Sequence, residues 1–317
     1  MTNPAYTIRN YRPGDFHRLI QLACEVEKLK GTFCCTSPQD FIEDLGKPHR
    51  FPENNLFIAE IAGSIMGYLD VMPELTIGQV VLNCLVHPRH RPRGLVRRIV
   101  ECGIQRAGAL GVNRARVNIP QNNATARRLF ARMGFEVVRR FLELRLDLSV
   151  TDELKTKRIV SPCRRLRRGE EDKLTQLQNR SFSDAWGFNP NTVEEIVYRT
   201  RLPRCSPRDI IIAFDFDKPV GYCWTRTSER VDEDMNGCKG HIYMLGVDPD
   251  HRGKGVGKRV LIAGLSHLKG KGVRRVELTV DSANTAACAL YRSVGFEVSA
   301  ATLWYEKVLS QGLSDIR

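Results

Sequence analysis

The chain has 317 residues, of which 42% are hydrophobic and 27% charged, enough to bury two ordinary cores and too apolar for general disorder. No apolar run reaches membrane-spanning length and the N-terminus lacks the basic start and apolar centre of a secretory signal, so a cytoplasmic protein without a membrane partner is expected. Ten cysteines lie scattered without a CxxC pair or a Cys/His spacing suited to zinc; they read as reduced thiols, and no metal site is expected.

In chain order, Ile8 to Asp15 reads as a strand that leads through a Gly turn into a helix over residues 15–30. Two paired strands follow, 55–61 and 65–71, turning at a glycine. The stretch from Arg89 to Arg140 then holds thirteen arginines, no lysine, and only Glu101 and Glu136 as acids, within a net charge of +13. Such a face suits nucleic acid, a phosphorylated small molecule or plain solvation. Residues 150–158 are polar and poor in apolar side chains, which makes them the expected linker.

The second half opens similarly, Cys163 to Glu170 leading into a helix over 170–182, and continues with strands 209–214 and 220–225. Between them, Asn179 to Glu195 carries Trp186 and Phe188, which read either as the walls of a pocket or as buried aromatics of a capping loop. The Asp232-Glu-Asp234 turn reads as a solvated loop or as negative charge near a cationic amine. Next comes the most informative stretch, Leu245 to Gly257, in which an apolar strand ends at Asp-Pro and Arg252-Gly-Lys-Gly-Val-Gly257 opens an amphipathic helix. Glycines before a helix let backbone N–H groups approach an anion such as a pyrophosphate, although a plain strand-to-helix turn has the same pattern. The loop is neither a P-loop nor a dinucleotide fingerprint. A strand at 276–280 follows, then Asn284-x6-Tyr291-x3-Gly295-Phe296.

The chain repeats itself. His87 to Val96 aligns with Asp248 to Gly257, and Asn123-x6-Phe130-x3-Gly134-Phe135 aligns with Asn284-x6-Tyr291-x3-Gly295-Phe296, all at an offset of 161 residues. Two copies of one domain are therefore expected, at 1–150 and 159–317. Strands first, then strand, loop, helix, strand, helix, strand, implies a mixed α/β sheet flanked by helices in each copy.

The ordered set V-x-P-x-x-R-G-x-G-x-G, helix, strand, N-x6-Y-x3-G-F resembles the GNAT (Gcn5-related N-acetyltransferase) superfamily over nearly the whole chain. The tandem arrangement resembles two-domain acetyltransferases of the mycothiol synthase type. The resemblance implies an acetyl-CoA-dependent N-acetyltransferase acting by direct attack in a ternary complex on a small-molecule or N-terminal primary amine. It implies a pyrophosphate site in the loop Arg252, Gly253, Lys254, Gly255, Val256, Gly257 and Lys258. It also implies acetyl and pantetheine contacts along Leu245, Gly246 and Val247 and at Asn284 and Ala287, with Tyr291 as general acid.

A phenol keeps its proton at neutral pH and can give it to a departing thiolate; a tyrosine packed at helical spacing would look the same. For the base, His241 starts the motif strand, and strict alternation would put His241, Tyr243 and Leu245 on one face. The tandem relatives tend to carry glutamate there, and Glu277 is the reserve. Trp186 and Phe188 fall where the family lines its acceptor cleft. In the first copy Pro92, Val96, Val80 and Phe130 stand at the positions of Gly253, Gly257, His241 and Tyr291, so residues 1–150 read as degenerate and non-catalytic. A different class of function stays open: an acetyl-CoA sensor or nucleic-acid binder using the Arg-rich face of the first copy.

Overall fold

The computed structural model describes residues 6–29, 38–89, 94–149, 163–202, 205–232 and 237–309. The expected linker at 150–158, residues 91–93 of the first loop, Cys34, Cys35 and most of the Asp232-Glu-Asp234 turn lie outside them. Among the described residues no helix is long and apolar enough to cross a membrane.

The chain forms two compact units, one of residues 1–140 with 302–317 and the other of residues 141–301. The first contains β1 (Tyr6–Asn10), α1 (Phe16–Lys28), α2 (Pro38–Leu45), the short turn α3 (Pro52–Asn55), β2 (Leu56–Ile61), β3 (Ser64–Glu74), β4 (Gln79–Val86), α4 (Leu95–Ala109), β5 (Arg114–Pro120), α5 (Ala124–Arg132) and the start of β6 (Glu136–Asp147). The second contains the rest of β6, then β7 (Cys163–Arg165), α6 (Glu171–Phe182), α7 (Val193–Thr200), β8 (Ile210–Asp215), β9 (Lys218–Asp232), β10 (Gly237–Val247), α8 (Val256–Gly270), β11 (Val273–Asp281), α9 (Thr285–Ser293) and the start of β12 (Glu297–Val308).

The strand pairing is mixed in each unit. Within the first unit the order is β1-β2-β3-β4-β5 with residues 302–308 of β12 at the end, and only β4 and β5 run parallel. Within the second it is β7-β8-β9-β10-β11 with residues 141–147 of β6 at the end, and only β10 and β11 run parallel. The copies thus exchange their final strands. The limits 1–150 and 159–317 follow the repeat, whereas the compact units follow this exchange. Leu142, Leu144 and Leu146 alternate to one face and are buried with Val276, Leu278 and Val280, their neighbours in the antiparallel ladder.

The same local physics builds both copies. Arg9 binds both carboxylate oxygens of Asp15 at 2.7 Å, and Arg164 does the same to Glu170, so a bidentate pair fixes the turn from first strand into first helix. In α1 the buried Leu19, Leu22, Ala23 and Val26 recur at helical spacing and cover β2 and β3. The matching positions of α6 are Leu174, Leu177, Gln178 and Ser181, and all four are buried too.

Candidate active site

In the second unit β10 lies between β9 and β11, but its two ladders differ. With β9 it pairs to its end at Val247. With β11 it pairs only from Cys238 to His241, so beyond His241 and Glu277 the two strands part. The residues of β10 past this point lack a cross-strand partner on the β11 side, which leaves strand-edge backbone groups for a ligand.

A second irregularity sits at the same place. Ile242 pairs with Thr225 and Met244 with Trp224, so Tyr243 is an extra residue, a β-bulge. The bulge overturns the expected alternation. Ile242, Leu245 and Val247 pack on the α8 face, while Tyr243, Met244 and Gly246 turn with Tyr222 and Trp224 towards α6. His241, paired with Arg226 and Glu277, lies on the α6 face, opposite Leu245 rather than beside it. Strand periodicity assumes an unbroken ladder, and this one shifts by a residue.

The glycine loop follows β10. Asp248 accepts from the backbone of Asp250 and starts a short turn at Pro249–His251. Gly253 and Gly255 have φ of +74° and +75°, and a Cβ on either would meet open space, so backbone conformation and not crowding calls for glycine. Gly255 caps α8, whose first amides lack intrahelical acceptors. Gly257 has another role: a Cβ there would stand 3.3 Å from Leu290, so it lets α8 close on α9. Val256 is buried against Gly221 and anchors the helix, while Lys258 is exposed. Lys254 donates to the Asp250 carbonyl at 2.9 Å.

The Arg252 guanidinium is committed to protein groups. It donates to Asp184 at 2.6 and 3.0 Å and to the Ser181 carbonyl at 2.9 Å. Beside it, Arg180 binds Asp248 at 2.8 Å and Asp250 at 3.0 Å, and the guanidinium holds the Asp248 carboxyl down at about 2. The end of α6 thus clamps the loop through five charged side chains, of which sequence reasoning singled out only Arg252.

Asn284 is the N-cap of α9, its carboxamide oxygen accepting from Ala287 N at 3.0 Å, and Asn123 caps α5 in the same way. Helix capping therefore accounts for asparagine at this point of the repeat and for the Ala287 amide. Tyr291 is 6% exposed, edge-on to Phe296 at 5.7 Å, and burial raises its phenol well above the ordinary value near 10. Glu277 lies 3.8 Å from Lys239. Glu143, brought in by the exchanged strand, pairs with Thr279 on the same face, and burial and the Glu277 charge raise its carboxyl. Sequence reading had no means to assign it to this sheet. Trp186 lies 6.2 Å from Phe141, while Phe188 stacks on Phe182 at 5.4 Å, so each ring has its own partner.

The first unit differs at the matching points. β3 and β4 pair without a bulge, and Val80 is buried on the α4 side. Phe130 packs edge-on to Phe135 at 5.2 Å, as Tyr291 does to Phe296. Several of its arginines are also engaged. Arg116 is buried on Glu306 at 2.7 Å, Arg106 binds Asn55, Arg114 the Ile77 carbonyl, and Arg97 and Arg98 both reach Glu101.

The profile of the Acetyltransferase (GNAT) family matches residues 20–135 and again residues 172–296. The chain belongs to this family. It is a tandem GNAT protein and an N-acetyltransferase that uses acetyl-CoA. A mycothiol acetyltransferase of Thermobispora bispora is 33% identical over 230 residues, spanning 70% of this chain and 74% of the relative. One from Segniliparus rotundus is 27% identical over 263 residues, or 79% and 93%. Among solved structures, a GCN5-related N-acetyltransferase from Sphaerobacter thermophilus shares the fold with a TM-score of 0.69 at 21% identity, covering 96% of each chain. A tandem GNAT protein from the clavulanic acid biosynthesis pathway scores 0.68 at 16% identity and covers 96% of this chain and 99% of its own.

Proposed function

We propose that the second copy, residues 159–317 with the strand it receives from the first, carries the acetyl transfer, and that residues 1–150 form a degenerate, non-catalytic GNAT domain. The observation that carries this reading is the coincidence, in one unit, of parted strands β10 and β11, a left-handed glycine loop at the end of β10, and a buried tyrosine on the helix after β11. In the other unit the bulge and the tyrosine are missing.

Acetyl-CoA supplies the activated acyl group. The amides at the start of α8, from Gly253 to Lys258, suit its pyrophosphate by hydrogen bonding and helix dipole. The free edge of β10 at Leu245 to Val247 suits the acetyl and amide groups beyond it, with Asn284 offering its remaining NH2 group. Tyr291 keeps its proton across the physiological range and holds it for the departing thiolate. His241, on the α6 face, takes the proton of the attacking ammonium, with Glu277 in reserve. The acceptor is a small primary amine.

A thiol-release assay tests the mechanism, with acetyl-CoA and a panel of small amines that includes mycothiol-related amines, because relatives are named for that compound. Tyr291→Phe is expected to lower kcat by about 10²-fold with little change in acetyl-CoA affinity. Unchanged kcat removes Tyr291 from the reaction.

A further inference from the structure

The α6 face of the second unit contains polar groups that its own packing does not satisfy. Gln178 and Tyr222 are both 0% exposed, yet both ends of the Gln178 carboxamide and the Tyr222 hydroxyl lack a hydrogen-bond partner, as does the enclosed Ser181 hydroxyl. These groups are neighbours. A Cβ built on Gly246 would stand 2.6 Å from Tyr222 Cε1 and 3.0 Å from Ser181 Oγ, and Gln178 lies one helical turn before Ser181 on the same face of α6.

The other copy serves as an internal control. Ala23 and Val26 occupy the positions of Gln178 and Ser181, Leu85 that of Gly246, and Tyr68 that of Tyr222. There, Phe41 stacks on Tyr68 at 4.5 Å and the group is an ordinary apolar core. The polar version belongs to the unit with the β10 bulge and Tyr291, whereas strand parting is common to both units, since β4 pairs with β5 only from Gln79 to Leu82. Buried polar atoms without partners are rare in folded proteins and mark bound water or a ligand.

We propose that Gln178, Ser181 and Tyr222 form an uncharged subsite beside Gly246 for a neutral hydrogen-bonding oxygen, supplied by a hydroxyl of the acceptor amine or by water. The proposal rests on the reading of the second copy as the catalytic one. The chemistry matches the lining: a carboxamide and two hydroxyls offer donors and acceptors without charge, which suits a hydroxyl or water and not a carboxylate or ammonium. The subsite is also tied to the glycine loop, since the Ser181 carbonyl accepts from Arg252.

The test is a high-resolution crystal structure of the full chain with acetyl-CoA, alone and with glucosamine, a primary amine bearing hydroxyls. The expected result is an oxygen within about 3.2 Å of Tyr222 Oη and of Ser181 Oγ or the Gln178 carboxamide. Direct bonding among the three side chains, with no oxygen between them, overturns the proposal. Kinetics of Ser181→Ala separate the two sources. An acceptor hydroxyl predicts about a tenfold rise in KM for glucosamine and none for cyclohexylamine, which lacks hydroxyls. Bound water predicts the same small change for both amines, with the oxygen present in both crystals. An oxygen there in a chain that fails to bind acetyl-CoA in calorimetry would overturn the catalytic reading and leave the subsite standing.

Discussion

Gly246 lacks a side chain because Tyr222 and Ser181 already occupy the space where one would go, at 2.6 and 2.8 Å from a Cβ. Gly246→Ala is therefore expected to destabilise the protein by about 1–3 kcal/mol, read as a lower urea midpoint at unchanged slope. An unchanged midpoint would mean that both neighbours yield freely. At this scale the sequence was legible where one residue type has one chemical reason. The glycines at 253 and 255 occupy left-handed backbone, as a loop before a helix suggests. It was less legible where a side chain has two possible partners. Arg252 sits in the loop expected to take a pyrophosphate, yet its guanidinium closes on Asp184, 68 residues earlier, which no local spacing foretells. Asn284 likewise has a helix to cap before it has a ligand to meet.

Among elements, the bulge in β10 is the feature that alternation could not reveal, because it is defined by how β10 pairs with β9. Deleting Tyr243 would restore an unbroken register and turn His241 to the α8 face. Loss of thiol release together with destabilisation above about 3 kcal/mol is expected, read from activity and urea unfolding of one preparation. A fully active deletion variant would show that the bulge is incidental. The α6 clamp adds a pH dependence. Asp248 titrates at about 2 when folded and near 3.9 when unfolded, so its ionised form favours the native state above the unfolded value. That contribution is lost as pH falls from about 4 to about 2, and Asp248→Asn is expected to flatten the decline in urea stability over this window. An identical slope in the variant would mean that the Arg180 pair does not contribute.

For the whole molecule, the repeat and the mixed sheets were legible from two motif sets at one offset, but the exchange of final strands was not. β6 and β12 have similar alternation, and either would satisfy either sheet by pattern alone. The exchange predicts that residues 159–317 expressed alone lack the strand covering β11. Losing buried Leu142, Leu144 and Leu146, at roughly 2–5 kcal/mol each, approaches the whole stability of a domain. That fragment is expected to melt without a cooperative transition, and a fragment beginning at Glu136 to regain one in calorimetry. Cooperative melting of the shorter fragment would count against the exchange. The central claim, that the second copy alone serves acetyl-CoA, is tested most directly by calorimetric titration of two matched variants of the intact chain. Gly94 and Gly255 are the equivalent left-handed glycines that cap α4 and α8. One site per chain that survives Gly94→Asp and disappears with Gly255→Asp is the predicted result; a site lost with Gly94→Asp and kept with Gly255→Asp would contradict it.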